Sequence, residues 1–439
     1  MRHYSLWRVL NVALAAVSVG CDQAHQPISA NRPEPALPTP CAIALAPHTG
    51  ADPVDQEIIR FQEKAQSASD PTPALERLGW AYVAKARSTF DPGFYKLAEQ
   101  TALCLDSKKP GCAEAMLLRG HVLHSLHKFK EGEAVARELV AKRGLAFDYG
   151  LLGDVLMEQG KLDEAVVAYQ AMMNQRPSPE AYGRTAHIRW LKGDLNGAIQ
   201  AMQMAANATS PRDRESAAWI HTRLALYFLQ AGRFDDSSRF IEAALLLQPD
   251  YAPALLARGR LLLAQDRSVE AVEPLTRAAA GNPLPEYQWL LSEALRAANR
   301  LDEARALEAR LKQHGEADDP RTFALFLATR GEDVETALRL ANRELETRAD
   351  VFTLDALAWA LHAAGKTAEA QAMMRRALAE GTQDARLQFH AAMLLGTPAN
   401  VRQDLLLPSE KKLLAANPVL IAQRSHFGTT QTQTEEKQQ

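Results

Sequence analysis

The chain has 439 residues, 47% of them hydrophobic and 23% charged, a balance that belongs to a globular rather than a disordered protein. Aromatic residues make up only 6%, few for a β-sandwich or barrel and suited to helices. With 50 Lys and Arg against 53 Asp and Glu the formal charge is −3, so no basic surplus exists to hold a phosphate backbone, and nucleic acid is not the expected partner.

Residues 1–20 read as a signal peptide. Arg2 and Arg8 form a basic start, and the apolar run Val9 to Gly20, broken only by Asn11 and Ser18, is too short to span a bilayer. It ends Val17-Ser18-Val19-Gly20-Cys21, which resembles the lipobox of bacterial lipoproteins. That resemblance implies lipidation of Cys21. The alternative is ordinary cleavage nearby and a soluble exported protein, so the expected address is the bacterial cell envelope, lipid-anchored or soluble in the periplasm or outside the cell. Residues 21–53, rich in Pro, Ala, Gln and Thr without a helical period, read as a flexible tether. A helix is expected within 54–70. Cys104 and Cys112 flank the polar stretch LDSKKPG and are expected either to close a small disulfide loop in an oxidising compartment or to stand as separate thiols at a helix end and a helix start. The first reading leaves Cys41 over in the tether.

From 71 to 384 the chain repeats. Small residues recur in pairs twelve apart: Gly120 and Gly132, Gly153 and Ala165, Ala186 and Ala198, Ala225 and Ser237, Gly259 and Ala271, Ser292 and Ala304, Ala358 and Ala370. Each pair brackets a turn, which carries Gly160, Gly193, Gly232 or Gly365 in four units, the residue that tolerates a left-handed helix end. Small side chains let two antiparallel helices approach where they cross, and Pro177, Pro249 and Pro283 stop second helices before the next unit. A first unit is marked by Gly79 and Ala98, with about seven extra residues in its turn, and another by Ala324 and Ala337. The count is nine units. A cap over 385–416 follows, with a helix from Ala385 to Leu395, and then a polar tail over 417–439 expected to be disordered.

These positions resemble the tetratricopeptide repeat, most fully in the unit Ala146 to Pro179 with Leu152, Gly153, Ala165, Tyr169 and Pro177 at its characteristic places. The stretches FDYGLLGDVLMEQGKLDEA and TLDALAWALHAAGKTAEA are similar to a group of exported bacterial proteins with such repeats. The resemblance implies an all-α, right-handed α-solenoid of about nine helix pairs, capped by helices at both ends. It also implies that the first helix of each pair lines a concave face that binds a protein or peptide.

In that register all five tryptophans outside the signal sequence, Trp80, Trp190, Trp219, Trp289 and Trp359, fall on the groove-facing side, where Trp is an effective anchor for a partner. The alternative is packing between neighbouring first helices. Asp154, Arg184, His187 and Arg260 are expected beside them, with Glu158, Arg223, Glu293 and Arg296; the mixed signs argue against a concentrated carboxylate clamp.

His121 and His124, three apart in RGHVLHSLHKF, are the candidate metal ligands, but no Glu or Cys stands at matching spacing to complete a site. The stretch Ala360 to Thr367 formally matches a loose phosphate-loop pattern, yet it is a helix end followed by a turn, without the strand and free amides a phosphate needs. The expectation is a non-enzyme without cofactor, an exported adaptor or assembly scaffold binding a peptide or helix; the alternative is a metal-binding accessory protein using the two histidines.

Overall fold

Small residues meet where paired helices cross, and this sets the architecture. The computed structural model describes residues 38–210, 212–396 and 401–417. Helices α1 (Pro40–Ala44) and α2 (Pro53–Ser67) precede nine antiparallel pairs. The first four are α3 (Thr72–Thr89) with α4 (Gly93–Lys108), α5 (Ala113–Ser125) with α6 (Phe129–Lys142), α7 (Ala146–Glu158) with α8 (Leu162–Gln175), and α9 (Pro179–Leu191) with α10 (Leu195–Ala208). Next come α11 (Arg214–Gln230) with α12 (Phe234–Leu247), α13 (Ala252–Ala264) with α14 (Ser268–Gly281), and α15 (Pro285–Ala297) with α16 (Leu301–Asp318). The last two are α17 (Pro320–Arg330) with α18 (Val334–Thr347), and α19 (Val351–Ala363) with α20 (Thr367–Ala377). Helix α21 (Ala385–Leu395), a 3₁₀ turn at Gln403–Leu405 and α22 (Pro408–Ala416) complete an all-α solenoid, with no strand among the described residues.

The crossings are as tight as the sequence implies. A Cβ on Gly153 would lie 2.3 Å from the Tyr169 ring, and one on Gly259 would lie 2.2 Å from Leu275, each within its own pair. Gly79 and Gly120 serve a different contact, admitting Leu118 and Leu151 from the first helix of the following pair. The small partners Ala165, Ala198, Ser237, Ala271, Ala304 and Ala370 are fully buried. The extra residues of the first unit do not form a long turn; they extend α3 to Thr89, and Phe90 closes it in a left-handed conformation.

Two expectations at the N-terminal end are corrected. The disulfide joins Cys104 to Cys41, not to Cys112. Helix α1 packs on α4 and brings the Cys41 and Cys104 Cα atoms to 4.7 Å, while Cys112 caps the start of α5 as a buried free thiol. The tether also ends early, because residues 39–52 fold against the first pair. The Tyr82 hydroxyl donates to the Ala44 carbonyl at 3.0 Å, and Gln62 Nε2 donates to the Ala46 carbonyl at 2.6 Å. Lys85 bridges to Asp52 and, at 2.7 Å, to Asp55. The Lys85 hydrogen bond and then His48 hold the Asp55 carboxyl well below the usual carboxylate range. Cys21 and the signal sequence lie outside the described residues, as does the tail from 418 onward.

Stacking alone would leave distant units apart, yet the array returns on itself along a seam. Arg348 donates to Glu158 at 2.8 Å, and the Ala349 amide donates to the Glu158 carbonyl at 3.2 Å. Thr382 donates to the Leu191 carbonyl, and Lys192 pairs with Glu380 at 2.9 Å. Gln230 donates to Asp384 at 3.1 Å and accepts from Arg402 on its carbonyl at 3.1 Å; Lys411 reaches Asp266 at 2.9 Å. The turn residues Gly160 and Gly193, with φ of 74° and 81°, face this seam. A Cβ would meet the Ala349 carbonyl oxygen at 2.4 Å in one case and that of Gly381 at 2.5 Å in the other. Glycine is thus required there for turn conformation and for backbone approach.

Gly153→Val is expected to overpack the α7–α8 crossing against Tyr169 and to lower unfolding free energy by about 2 kcal/mol or more in urea denaturation. An unchanged midpoint would contradict this account of the crossing.

Candidate functional site

The seam encloses a chamber of about 560 Å³. One wall is made by the first helices α9, α11, α13 and α15, through Trp190, Trp219, Arg223, Tyr227, Arg260 and Tyr287. The other comes from the returning part of the chain: Arg321 and Phe352, the loop residue Asp350, and Asp384, Arg386, Leu406, Leu407 and Glu410. Residues 401–416 act as a strap across it. Leu406, Leu407 and Glu410 are buried, the Leu407 amide donates to Glu410 at 2.8 Å, and the Ser409 amide donates to Glu293 at 3.0 Å.

The tryptophans divide into groups. Trp190 and Trp219 line the chamber. Trp219 is 41% exposed and lies across Gly183 of α9, where a Cβ would approach its ring to 3.3 Å. Trp190 is nearly buried; its ring stacks on Phe352 across the seam at 5.4 Å, and its indole N–H donates to Gln230 Oε1 at 2.7 Å. Gln230 passes the contact on to Asp384, whose carboxyl burial raises above its ordinary range. Trp80 is half-buried against His121, with ring centres 5.2 Å apart.

Trp289 and Trp359 do not face the groove, which corrects the expectation for them. They are 2% and 3% exposed. Trp289 packs against Phe326 of the next first helix and donates to Glu293 at 3.2 Å. Trp359 stacks on His390 at 4.1 Å and donates to Thr329 at 3.0 Å. Both fill the contact between neighbouring first helices, so their large area stabilises the stack.

Among the polar expectations, His187 and Arg260 line the chamber. Arg260 is paired with Glu286. Asp154 and Arg184 form a bidentate pair at 2.8 and 2.6 Å, and the Tyr169 hydroxyl donates to Asp154 at 2.9 Å. Burial would raise the Asp154 carboxyl, but Arg184 holds it below its ordinary range. Glu293 and Arg296 are taken up inside the stack, Arg296 by Glu308 at 2.7 Å.

His121 and His124 lie on α5, one ring against Trp80 and the other 5.6 Å from Phe129. Burial, then His124, pushes the His121 ring down to about 4. Among the described residues no group of three or more His, Cys, Asp or Glu side chains could hold a metal ion, so these two gain no third ligand. The returning residues Arg321, Arg348, Asp350, Asp384, Arg386 and Glu410 escape sequence reasoning, because they meet the first wall only through the seam. The usable signal is the clustering of charge at first-helix ends in the last two units and the cap.

A tetratricopeptide repeat model matches residues 151–213 and 222–285, and a second matches 285–307 and 352–376. This is a tetratricopeptide repeat protein. Anaphase-promoting complex subunit 7 of Arabidopsis thaliana is 26% identical over 158 residues, 36% of this chain and 27% of that protein. Cellulose synthase operon protein C of Xanthomonas axonopodis pv. citri is 28% identical over 281 residues, 56% of this chain and 18% of that protein. The tetratricopeptide chain described here thus spans under a third of the length of either relative. Among solved structures, the APC/C hetero-tetramer Cut9–Hcn1 is similar in fold, with 14% identity, a TM-score of 0.43, and coverage of 78% of this chain and 62% of that one. The tetratricopeptide fold is that of a protein–protein interaction module, and such proteins are in general non-catalytic scaffolds.

Burial, with Arg223 next, holds His187 down at about 3, against 6.5 for the unperturbed ring. The folded state therefore binds fewer protons than the unfolded state between these values, and stability is lost as pH falls through that window. The denaturation midpoint should drop from about pH 7 to about pH 4.5, with a shallower slope in His187→Gln. An equal slope in the variant would remove His187 from the balance.

Proposed function

We propose that this protein is an exported adaptor or assembly scaffold of the bacterial cell envelope that receives a segment of a protein partner in the chamber on its concave side. The observation that carries the reading is the chamber itself: it is walled by consecutive first helices, holds Trp190 and Trp219 beside polar groups, and is large enough for a short stretch of peptide. An exposed tryptophan lying across Gly183 is an effective anchor, since it buries much area with little loss of rotamer freedom.

Export is supported by the basic and apolar start of the sequence and by the Cys41–Cys104 disulfide, which suits an oxidising compartment. On this reading Cys21 carries lipid or the chain is cleaved nearby and released. The near-neutral charge supports a protein rather than a nucleic-acid partner.

Trp219→Ala should leave the helical melting transition unchanged while cutting photocrosslinked capture of envelope partners about tenfold. Trp289→Ala should instead lower the transition, because that ring is packed inside the stack. Capture that is indifferent to Trp219 would overturn the chamber as the partner site.

A further inference from the structure

The walls of the chamber differ in how they are held. The first helices α9, α11, α13 and α15 each pack against a second helix of their own unit and against a neighbouring unit. Residues 401–416 belong to no such pair. Their 3₁₀ turn rests on α13 and α21, and α22 rests on α15 and α17, so the strap lies over the first helices of the sixth to eighth units. From there Leu405, Leu406, Leu407 and Glu410 close the chamber.

The strap is attached mainly through side chains. Arg402 donates to the Gln230 carbonyl at 3.1 Å, Arg386 donates to Glu410 at 2.7 Å, Lys411 pairs with Asp266 at 2.9 Å, and the Ser409 amide donates to Glu293 at 3.0 Å. Leu406 and Leu407 are buried beneath it. Within itself the strap is self-sufficient: the Leu407 amide is capped by Glu410, Pro408 stands at the helix start where no amide is needed, and Arg402 pairs with Asp404 at 2.9 Å.

The seat is equally complete without the strap. Glu293 keeps the Trp289 indole at 3.2 Å and Arg330 at 3.3 Å, Gln230 keeps Trp190 and Asp384, and the Arg386 guanidinium keeps the Trp289 ring 4.8 Å away. Docking also leaves a defect, because the Ser409 hydroxyl is buried without a hydrogen-bond partner. Return to water removes that cost.

We propose that residues 401–416 are a lid on the chamber, an occupant supplied by the chain itself that swings out to admit a partner segment and competes with it for the same apolar seat. This rests on the chamber being the partner site. A segment held by few backbone hydrogen bonds opens locally, at less cost than unfolding the helix pairs beneath it. Closed, it covers the chamber with Leu406 and Leu407; open, it leaves a seat for a partner segment that presents two adjacent branched apolar side chains in their place. Being tethered, the strap outcompetes weak or dilute segments, so the lid sets a threshold for binding.

The test uses the full chain. In hydrogen exchange read by mass spectrometry, amides of 403–416 should exchange at least about 100-fold faster than those of α15 and α17, at a rate independent of urea below the unfolding transition. Leu406→Ser combined with Leu407→Ser should speed strap exchange further, keep the helical spectrum and raise Trp219-dependent partner capture severalfold. A synthetic peptide of residues 401–417 should bind this variant saturably and at least about tenfold more tightly than it binds the unaltered chain, whose own strap competes. The same peptide with serine at both leucines should bind neither. Strap amides as protected as those of α15, no binding of the peptide to the variant, or equal binding to both chains would overturn the lid. Strap exchange and peptide binding as expected, with capture indifferent to Trp219, would keep the lid and overturn the chamber as the partner site.

Discussion

The chamber depends on one contact, the seam that ties the ends of α7, α9, α11 and α13 to segments 145 to 191 residues further along the chain. A repeat array stabilised only between neighbours behaves as a spring whose distant units move independently. Here Glu158 meets Arg348 and Ala349, Leu191 and Lys192 meet Thr382 and Glu380, and Gln230 meets Asp384 and Arg402. Any single exposed pair contributes little, roughly 0 to 1 kcal/mol. The row gains from the backbone hydrogen bond at Ala349 and from the Trp190–Phe352 stack.

The repeat was legible because its cause is local. Small residues paired twelve apart, bracketing a short turn, suffice to place nine helix pairs, and the cap helix Ala385–Leu395 follows from its own apolar period. Three of the turns use His127, Asp266 and Asn299 in the left-handed conformation where others use glycine, so the spacing of small residues is a firmer signal than glycine itself. What sequence does not carry is the angle accumulated between units, and so the seam and the second wall of the chamber stayed hidden. The cysteine pairing failed for a related reason: proximity along the chain favoured Cys112, but packing of α1 on α4 brought Cys41 to Cys104. Register placed all five tryptophans on one side of the first helices. That side meets either the groove or the next first helix, and Trp289 and Trp359 took the second course because Phe326 and His390 complete their contacts.

The strap formed by residues 401–416 connects architecture to function. It closes the chamber with Leu406 and Leu407 while its own amides are satisfied by Glu410 and by Glu293 of α15. Trp190 has a double duty, bracing the seam on one face and bounding the chamber beside Arg223 on the other. On the proposed reading, binding in the chamber and closure of the array are coupled through one side chain, and a partner that orders Trp190 would stabilise the seam by linkage.

Zero-length carbodiimide coupling of the monomeric full-length protein, with cross-linked peptides identified by mass spectrometry, tests the closed array most directly. The pairs Lys192–Glu380 and Lys411–Asp266, both 2.9 Å apart, should couple alongside the neighbouring-unit pairs Lys192–Asp163 and Lys161–Glu133 at 2.9 and 2.7 Å. Coupling confined to the neighbouring-unit pairs, with neither long-range link in the monomer, would contradict the seam and the chamber built on it.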